Sequence, residues 1–125
     1  MMNYAIIAIG GALGAMARYA TTSATTRLFG QGFPAGTIIV NVAGSFAMGF
    51  LIGWLASRAA GDNMLRLFFA TGFLGAFTTF SAFSLDFAAL YERGAVGLAA
   101  GYAAMSVVAS ILAVFGGLWL SRAAM

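Results

Sequence analysis

The 125-residue sequence contains no cysteine and no histidine. Their absence excludes disulfide bonds, thiol nucleophiles, imidazole bases and the commonest zinc ligands. Charge is also scarce: 7% of the residues are charged, against about 25% in a typical soluble domain. So few charges cannot cover a water-soluble globule with polar surface. The composition therefore indicates a membrane protein, and the mean hydropathy of +0.98 agrees with this interpretation.

Basic and catalytic groups are too sparse for two further classes of function. All six basic residues are arginine and they are scattered, so they form no basic patch for nucleic acid. The chain also lacks a glycine-rich phosphate loop and a pair of buried carboxylates for acid–base chemistry. We therefore expect a protein that binds or moves something, not an enzyme.

Long apolar runs predict an all-α membrane protein. A spanning helix needs roughly 20 mainly apolar residues, and the chain has four such runs, at about 4–26, 37–57, 64–91 and 95–120. The first run lacks a basic region before it, so we expect a retained helix and not a cleaved signal peptide. The connecting loops are short, so neighbouring helices should be antiparallel. Residues 1–125 are expected to form a single four-helix transmembrane domain.

The arginines are spread almost evenly over the two sides of the membrane. Both termini and the second loop share one side, which carries three arginines and one acid: Arg58, Arg66, Arg122 and Asp62. The other side carries Arg27 and Arg93, offset by Glu92, while Arg18 lies within or near the end of the first span. The arginine bias that normally fixes orientation is thus almost absent. This balance suggests insertion both ways round and an antiparallel homodimer.

Three pairs of glycines have the spacing of helix-packing motifs. The pairs are Gly10 with Gly14, Gly49 with Gly53, and Gly97 with Gly101. Small residues four apart allow helix backbones to approach closely in lipid. Ordinary packing explains most of them.

Polar residues at membrane depth recur on helical faces. In the second span Asn41 has Thr37 one turn before it and Ser45 one turn after it. In the fourth span the hydroxyl residues Tyr102, Ser106 and Ser110 are each four positions apart and so lie on one face. Hydrogen bonding between helices, worth about 0.6 kcal/mol per contact, is one explanation. Because several such residues lie in register, we favour a path for an ion.

The third span contains an unusual uncharged stretch, "GFLGAFTTFSAFS" at 72–84. Gly72 and Gly75 weaken the helix by about 1 kcal/mol each relative to alanine. A broken span frees backbone carbonyls, which lipid tolerates only where they line a cavity or bind a cation. The rings of Phe80 and Phe83 have positive edges that can approach a partly dehydrated anion. The stretch therefore predicts a third helix broken near its middle, with groups for an anion and for a cation.

Three motifs follow one another along the chain: "GGALGAMARY" at 10–19, "GTIIVNVAGSF" at 36–46 and "TGFLGAFTTFSAFS" at 71–84. Together they resemble the Fluc family of bacterial fluoride channels. The resemblance covers essentially the whole chain. Two positions depart from the family pattern: Ala82 stands where threonine is expected, and Asp86 stands where the acid is often glutamate.

The resemblance implies a dual-topology homodimer in the bacterial inner membrane, with two antiparallel pores for passive, selective fluoride export and fluoride resistance. By position, Phe80 and Phe83 would line the ion path with their ring edges, and Asn41 would donate its side-chain amide to fluoride. Thr79 and Ser81 would add hydroxyl donors. The hydroxyls of the fourth span would form a polar track: Tyr102, Ser106 and Ser110.

The resemblance also implies a structural sodium ion at the dimer centre. Its ligands would be the backbone carbonyls of Gly75 and Thr78 from each protomer, since four oxygens suit a hard cation. Arg18 would lie near a vestibule and attract anions. The roles of Thr37 and Asp86 stay open.

Two other functions are compatible with a small four-span chain. A dual-topology multidrug exporter needs a membrane-embedded carboxylate for proton exchange, but the first span has no acid. A non-transporting scaffold subunit would tolerate apolar replacements in the hydroxyl stripe, whereas a channel would lose flux.

Overall fold

The computed structural model describes residues 1–58 and 63–124, and all regular structure in these ranges is helical. Four helical segments are long and apolar enough to cross a membrane: Met2–Phe29, Ala35–Ala56, Asn63–Glu92 and Val96–Ala123. We call them the first, second, third and fourth spans. The prediction of an all-α protein with four spans is confirmed. Asp62, used above in the charge count, lies outside the described residues, as does Met125.

The observed spans differ only slightly from the expected ones. The first span extends beyond the expected 4–26 at both ends, and the fourth ends three residues after the expected 120. Gly30 and Gly94 follow the first and third spans and have φ values of 81° and 90°, which glycine adopts without strain. The amide of Gly30 donates to the carbonyl of Thr26 and so closes the last turn. These two glycines therefore set where the helices stop.

The third span is broken, as predicted, but the break does not lie at its glycines. An α-helical turn at Asn63–Leu65 leads into a π-helix at Arg66–Leu74 and a short α-helical turn at Gly75–Phe77. Residues 78–80 are not helical, and Thr78 is extended with φ −85° and ψ 159°. The helix then resumes over Ser81–Glu92. Glycine weakens a helix, but ending one inside a membrane requires other partners for its backbone amides.

The π-helical segment packs directly on the backbone of the first span. A Cβ atom at Gly10 would overlap the carbonyl oxygen of Phe68, and one at Gly14 would overlap that of Phe73. On the other side of the contact, Gly72 faces the backbone of Ile7 and Gly10. π-Helices are rare and are frequently found at functional sites. The first half of the third span is therefore held against the first span by contacts between backbones.

A second close contact joins the second and fourth spans. Gly49 faces the carbonyl of Val114, and Gly53 faces the hydroxyl of Ser121. From the opposite side, Gly117 faces the carbonyl of Phe46. Two of the three predicted glycine pairs thus lie at helix contacts. For the third pair, Gly97 and Gly101, no described atom beyond the adjacent backbone of the fourth span lies within 4 Å of an added Cβ, so neither glycine lies at a contact between spans of the described protomer.

The close approach at Gly14 predicts a large effect for a small change. Gly14→Ala places a methyl group on the Phe73 carbonyl and should lower the free energy of unfolding by about 1–3 kcal/mol. Gly97→Ala is the matched control, because its methyl group meets open space and alanine favours the helix. Unfolding in detergent, followed by circular dichroism, measures both. Equal stability of the two variants would contradict the packing described here.

Candidate functional site

The break in the third span is held by one side chain of the second span. The Asn41 side-chain amide nitrogen donates to the carbonyl of Thr79 at 3.0 Å, and the backbone amide of Thr79 donates to Asn41 Oδ1 at 2.8 Å. The two bonds together occupy both polar groups of the Thr79 backbone. Asn41 therefore supplies the hydrogen-bond donor and acceptor that a continuous helix would have provided for the backbone of Thr79.

The second span is shaped to receive the break. A Cβ atom at Gly44 would overlap the methyl group of Thr78 and would lie close to the ring of Phe77. Gly44 is one turn from Asn41, on the same side of the helix. The missing side chain at Gly44 thus lets the broken segment come near enough for Asn41 to bond it.

The second half of the third span begins with a side-chain cap. The backbone amide of Ala82 donates to Thr79 Oγ1 at 3.1 Å, the bond from residue i+3 that is typical of a helix N-cap. The hydroxyl of Ser81 lies 3.4 Å from the same oxygen. The hydroxyls of Thr79 and Ser81 are therefore neighbours at the start of this half.

A groove of about 390 Å³ runs along the break, between the second and fourth spans. Eight residues predicted for the site line it: Asn41, Gly75, Thr78, Thr79, Phe80, Phe83, Ser106 and Ser110. Sequence reasoning placed Ser45 in register with Asn41 without assigning it to the site, and Ser45 also lines the groove. Val107 and Ile111 add two aliphatic side chains to the lining. The structure thus brings together residues from three spans that are distant in the sequence.

Two phenylalanine rings lie side by side at the groove. The ring centroids of Phe80 and Phe83 are 5.5 Å apart, with 49° between the ring planes. Phe83 also contacts the ring of Tyr102, at 5.3 Å between centroids. Phe80 is 76% exposed in the protomer. The groove is therefore open on the side of Phe80.

Three groove hydroxyls have no hydrogen-bond partner among the described residues: those of Ser45, Ser106 and Ser110. Several other hydroxyls inside the spans donate to a carbonyl of their own span, as those of Thr21 and Thr25 do in the first span. Ser106 is 5% exposed, and its hydroxyl oxygen is buried. An unpartnered buried polar group costs about 1–3 kcal/mol. The groove is thus lined by three serines whose hydroxyls have no partner within the described protomer.

Tyr102 does not continue this line of hydroxyls. It is 1% exposed and does not line the groove, because its hydroxyl donates to Asp86 Oδ2 at 2.9 Å across the interface between the third and fourth spans. The hydroxyl of Thr37 donates to the same oxygen at 2.6 Å. The roles left open for Thr37 and Asp86 are therefore, at least in part, to connect three spans. In the sequence, the signal that could have indicated a contact for Thr37 was its position one turn before Asn41 on the same helical face.

Arg18 lies well inside the first span and lines a separate cavity of about 320 Å³. Its Nε atom is buried and has no hydrogen-bond partner among the described residues. Thr79 lines both this cavity and the groove. Together with Ser106 Oγ, Arg18 Nε is one of two such buried atoms in the described chain, and each belongs to a residue that lines one of the two cavities. Each of the two spaces is therefore lined by a residue with an unpartnered polar atom, and Thr79 of the break lies between them.

Comparison with protein families gives a match over most of the chain. A family described as "CrcB-like protein, Camphor Resistance (CrcB)" matches residues 5–118. This range contains every residue discussed for the site.

Curated relatives are similar over nearly their whole length. A protein of Mesorhizobium japonicum named "Fluoride-specific ion channel FluC" is 53% identical over 122 residues, which cover 98% of each chain. "Fluoride-specific ion channel FluC 2" of Nitrobacter hamburgensis is 52% identical over 121 residues, covering 97% of this chain and 98% of its own. A protein of Agrobacterium fabrum, also named "Fluoride-specific ion channel FluC", is 51% identical over 122 residues, which cover 98% of each chain.

The hydroxyl bond to Asp86 can be tested by stability. Tyr102→Phe removes one of the two donors to Asp86 Oδ2 and should lower the free energy of unfolding by about 1 kcal/mol. Tyr91→Phe is the control, because Tyr91 is 57% exposed and its ring stacks on Phe87. Both are measured by denaturant titration in detergent. A Tyr102→Phe variant as stable as the control would argue against the bond.

Proposed function

This chain belongs to the CrcB-like family, and on that premise we propose that it is a fluoride-selective ion channel. It is a multi-pass protein of a bacterial membrane, for which we propose the inner membrane. The observation that carries the proposal is the near-full-length similarity to relatives named fluoride-specific ion channels. The polar groups along the groove support it independently of those names.

Fluoride is a small, strongly hydrated anion, so a pore must replace its water with several close donors. The groove offers neutral hydroxyls at Ser106 and Ser110. Asn41 has a second amide hydrogen beyond the one that it donates to Thr79. Neutral donors bind weakly enough to release the ion, which conduction requires. A fixed positive charge in the groove would hold the ion too firmly.

The aromatic rings supply the rest of the proposed ion path. The positive edges of Phe80 and Phe83 would face the anion, while Thr79 and Ser81 would add hydroxyls at the break. The Tyr102 hydroxyl already donates to Asp86, so it would not donate to the ion. The ring of Tyr102 would instead pack against the ring of Phe83. The two phenylalanine rings would thus exclude water from the path without placing a full positive charge beside the ion.

We propose that the cavity at Arg18 is the vestibule of this path. The guanidinium charge would raise the local concentration of anions, and Thr79 would pass them to the groove, since it lines both spaces. Transport would be passive. Fluoride that enters as the neutral weak acid ionises inside the cell and leaves down its own gradient, which would confer fluoride resistance.

A second copy of the chain would close the groove. Phe80 is too exposed for a residue that lines a selective path, so the open side requires a partner. The balanced arginines favour a partner inserted in the opposite orientation. The resulting antiparallel homodimer would contain two pores of opposite direction.

The residues at the break fit a structural sodium ion at the dimer centre. In a continuous helix the carbonyls of Gly75 and Thr78 would accept from the amides of Thr79 and Ala82. Those two amides donate to side chains instead. Two backbone carbonyls from each protomer would hold the ion, and oxygen ligands suit a hard cation. When bound, the ion would bring together four carbonyl dipoles and link the two protomers.

The first test is fluoride efflux from liposomes, read with a fluoride electrode. The purified protein should release fluoride and should not release chloride. Phe80→Ile should lower the initial rate of fluoride efflux at least about tenfold, equivalent to about 1.4 kcal/mol in the barrier. Phe115→Ile is the control, since Phe115 is exposed on the fourth span outside the groove.

No fluoride release from well-folded protein would overturn the channel proposal and favour a scaffold subunit. Equal loss of rate in both phenylalanine variants would remove Phe80 from the path.

The fourth-span hydroxyls give a second test. The double variant Ser106→Ala with Ser110→Ala removes two groove donors and should lower fluoride efflux roughly tenfold, because each bond is worth about 0.5–1.5 kcal/mol. Ser121→Ala should keep the wild-type rate, since the Ser121 hydroxyl donates to Leu118 within its own helix. A double variant with the wild-type rate would contradict the proposed polar track.

A further inference from the structure

Two backbone amides at the break are diverted from the helical ladder in a specific way. The ladder is intact just before the break, where the amide of Thr78 donates to Leu74 at 3.1 Å. It is intact again just after it, where the amide of Ser84 donates to Phe80 at 2.9 Å. Between these points, Thr79 and Ala82 direct their amides to side-chain oxygens. The diversion therefore falls within one short segment of the third span.

Each diverted amide corresponds to one carbonyl. The ladder pairs the amide of residue i+4 with the carbonyl of residue i, so the Thr79 amide belongs to Gly75 and the Ala82 amide belongs to Thr78. Asn41 Oδ1 takes the first amide at 2.8 Å, and Thr79 Oγ1 takes the second at 3.1 Å. For each of these two carbonyls, one side chain thus binds the amide that the carbonyl would otherwise accept from.

We propose that Asn41 and Thr79 are positioning residues for the central cation. Asn41 keeps the Gly75 carbonyl out of the ladder, and Thr79 does the same for the Thr78 carbonyl. Both act through backbone amides, so neither side chain is a ligand of the ion in this assignment. The inference rests on the sodium site in the proposed function and adds to it the residues that build the site.

The physical reason is the scarcity of donors inside a membrane. A carbonyl without a partner is costly there, and it recovers that cost from a cation or from its own helix. Removing the side chain that holds the amide makes the helical bond available again. The carbonyl then turns into the ladder and is lost as a cation ligand.

Asn41 has a second proposed role, as a donor to fluoride, so the two roles must be separated. One of its amide hydrogens goes to the Thr79 carbonyl, and the other is free for the groove. Fluoride flux alone would fall on either account. Cation-dependent stability changes only if Asn41 helps to form the cation site.

The experiment measures the thermal unfolding midpoint of the full-length protein in detergent, without fluoride. Sodium chloride is titrated against N-methyl-D-glucamine chloride at constant ionic strength. The variants are Asn41→Leu, Thr79→Val and Thr79→Ser, with Ser45→Ala as the control that removes a groove hydroxyl. Fluoride efflux is measured on the same preparations.

We expect sodium to raise the midpoint of the wild type. Asn41→Leu and Thr79→Val should need at least tenfold more sodium for half of the effect. Thr79→Ser keeps an oxygen for the Ala82 amide and should respond like the wild type, as should Ser45→Ala. If Asn41→Leu does not fold, the comparison of Thr79→Val with Thr79→Ser tests the positioning role, because valine and threonine have nearly the same shape.

Three results would overturn part of the argument in distinguishable ways. Folded Asn41→Leu and Thr79→Val proteins with the wild-type sodium response would refute the positioning role alone. A wild type that conducts fluoride but does not respond to sodium would refute the sodium site and this inference with it. A wild type that responds to sodium as expected but does not conduct fluoride would refute the proposed function and leave the positioning role supported.

Discussion

The structure of the site depends on one interaction, the pair of hydrogen bonds between the Asn41 side chain and the backbone of Thr79. A helix interrupted inside a membrane leaves amides and carbonyls without water to bind. Asn41 satisfies one amide and one carbonyl at once, and so the interruption can exist at this depth. The groove, the side-by-side phenylalanines and the separate cavity at Arg18 all lie around the segment that these bonds hold.

Glycines make that interaction geometrically possible, mostly from outside the break itself. Gly44 admits the Thr78 methyl group, while Gly10 and Gly14 hold the π-helical half of the third span against the first span. The second and fourth spans approach each other in the same way, through Gly49, Gly53, Gly117 and Ser121. In lipid, where apolar side chains gain little from leaving the solvent, such close backbone contacts supply much of the packing energy.

Much of this arrangement could be predicted from the sequence, and the remainder could not, for physical reasons. Hydropathy located the four spans, because lipid imposes a minimum length on an apolar helix. Composition predicted a break, but the glycines suggested its position only loosely, since the break forms where Asn41 and Thr79 capture amides. Helical periodicity placed Tyr102 in line with Ser106, yet it could not show that the Tyr102 hydroxyl would bond Asp86. Periodicity assigns a face to a residue and not a partner.

The separation of Asn41 and Thr79 along the chain has a consequence for biogenesis. The two residues are 38 positions apart and lie in different spans. The second span is synthesised before the third, so Asn41 is already present when Thr79 is made, but the two bonds form only when the two spans lie side by side. The geometry of the break therefore depends on packing between two spans and not on the sequence of the third span alone.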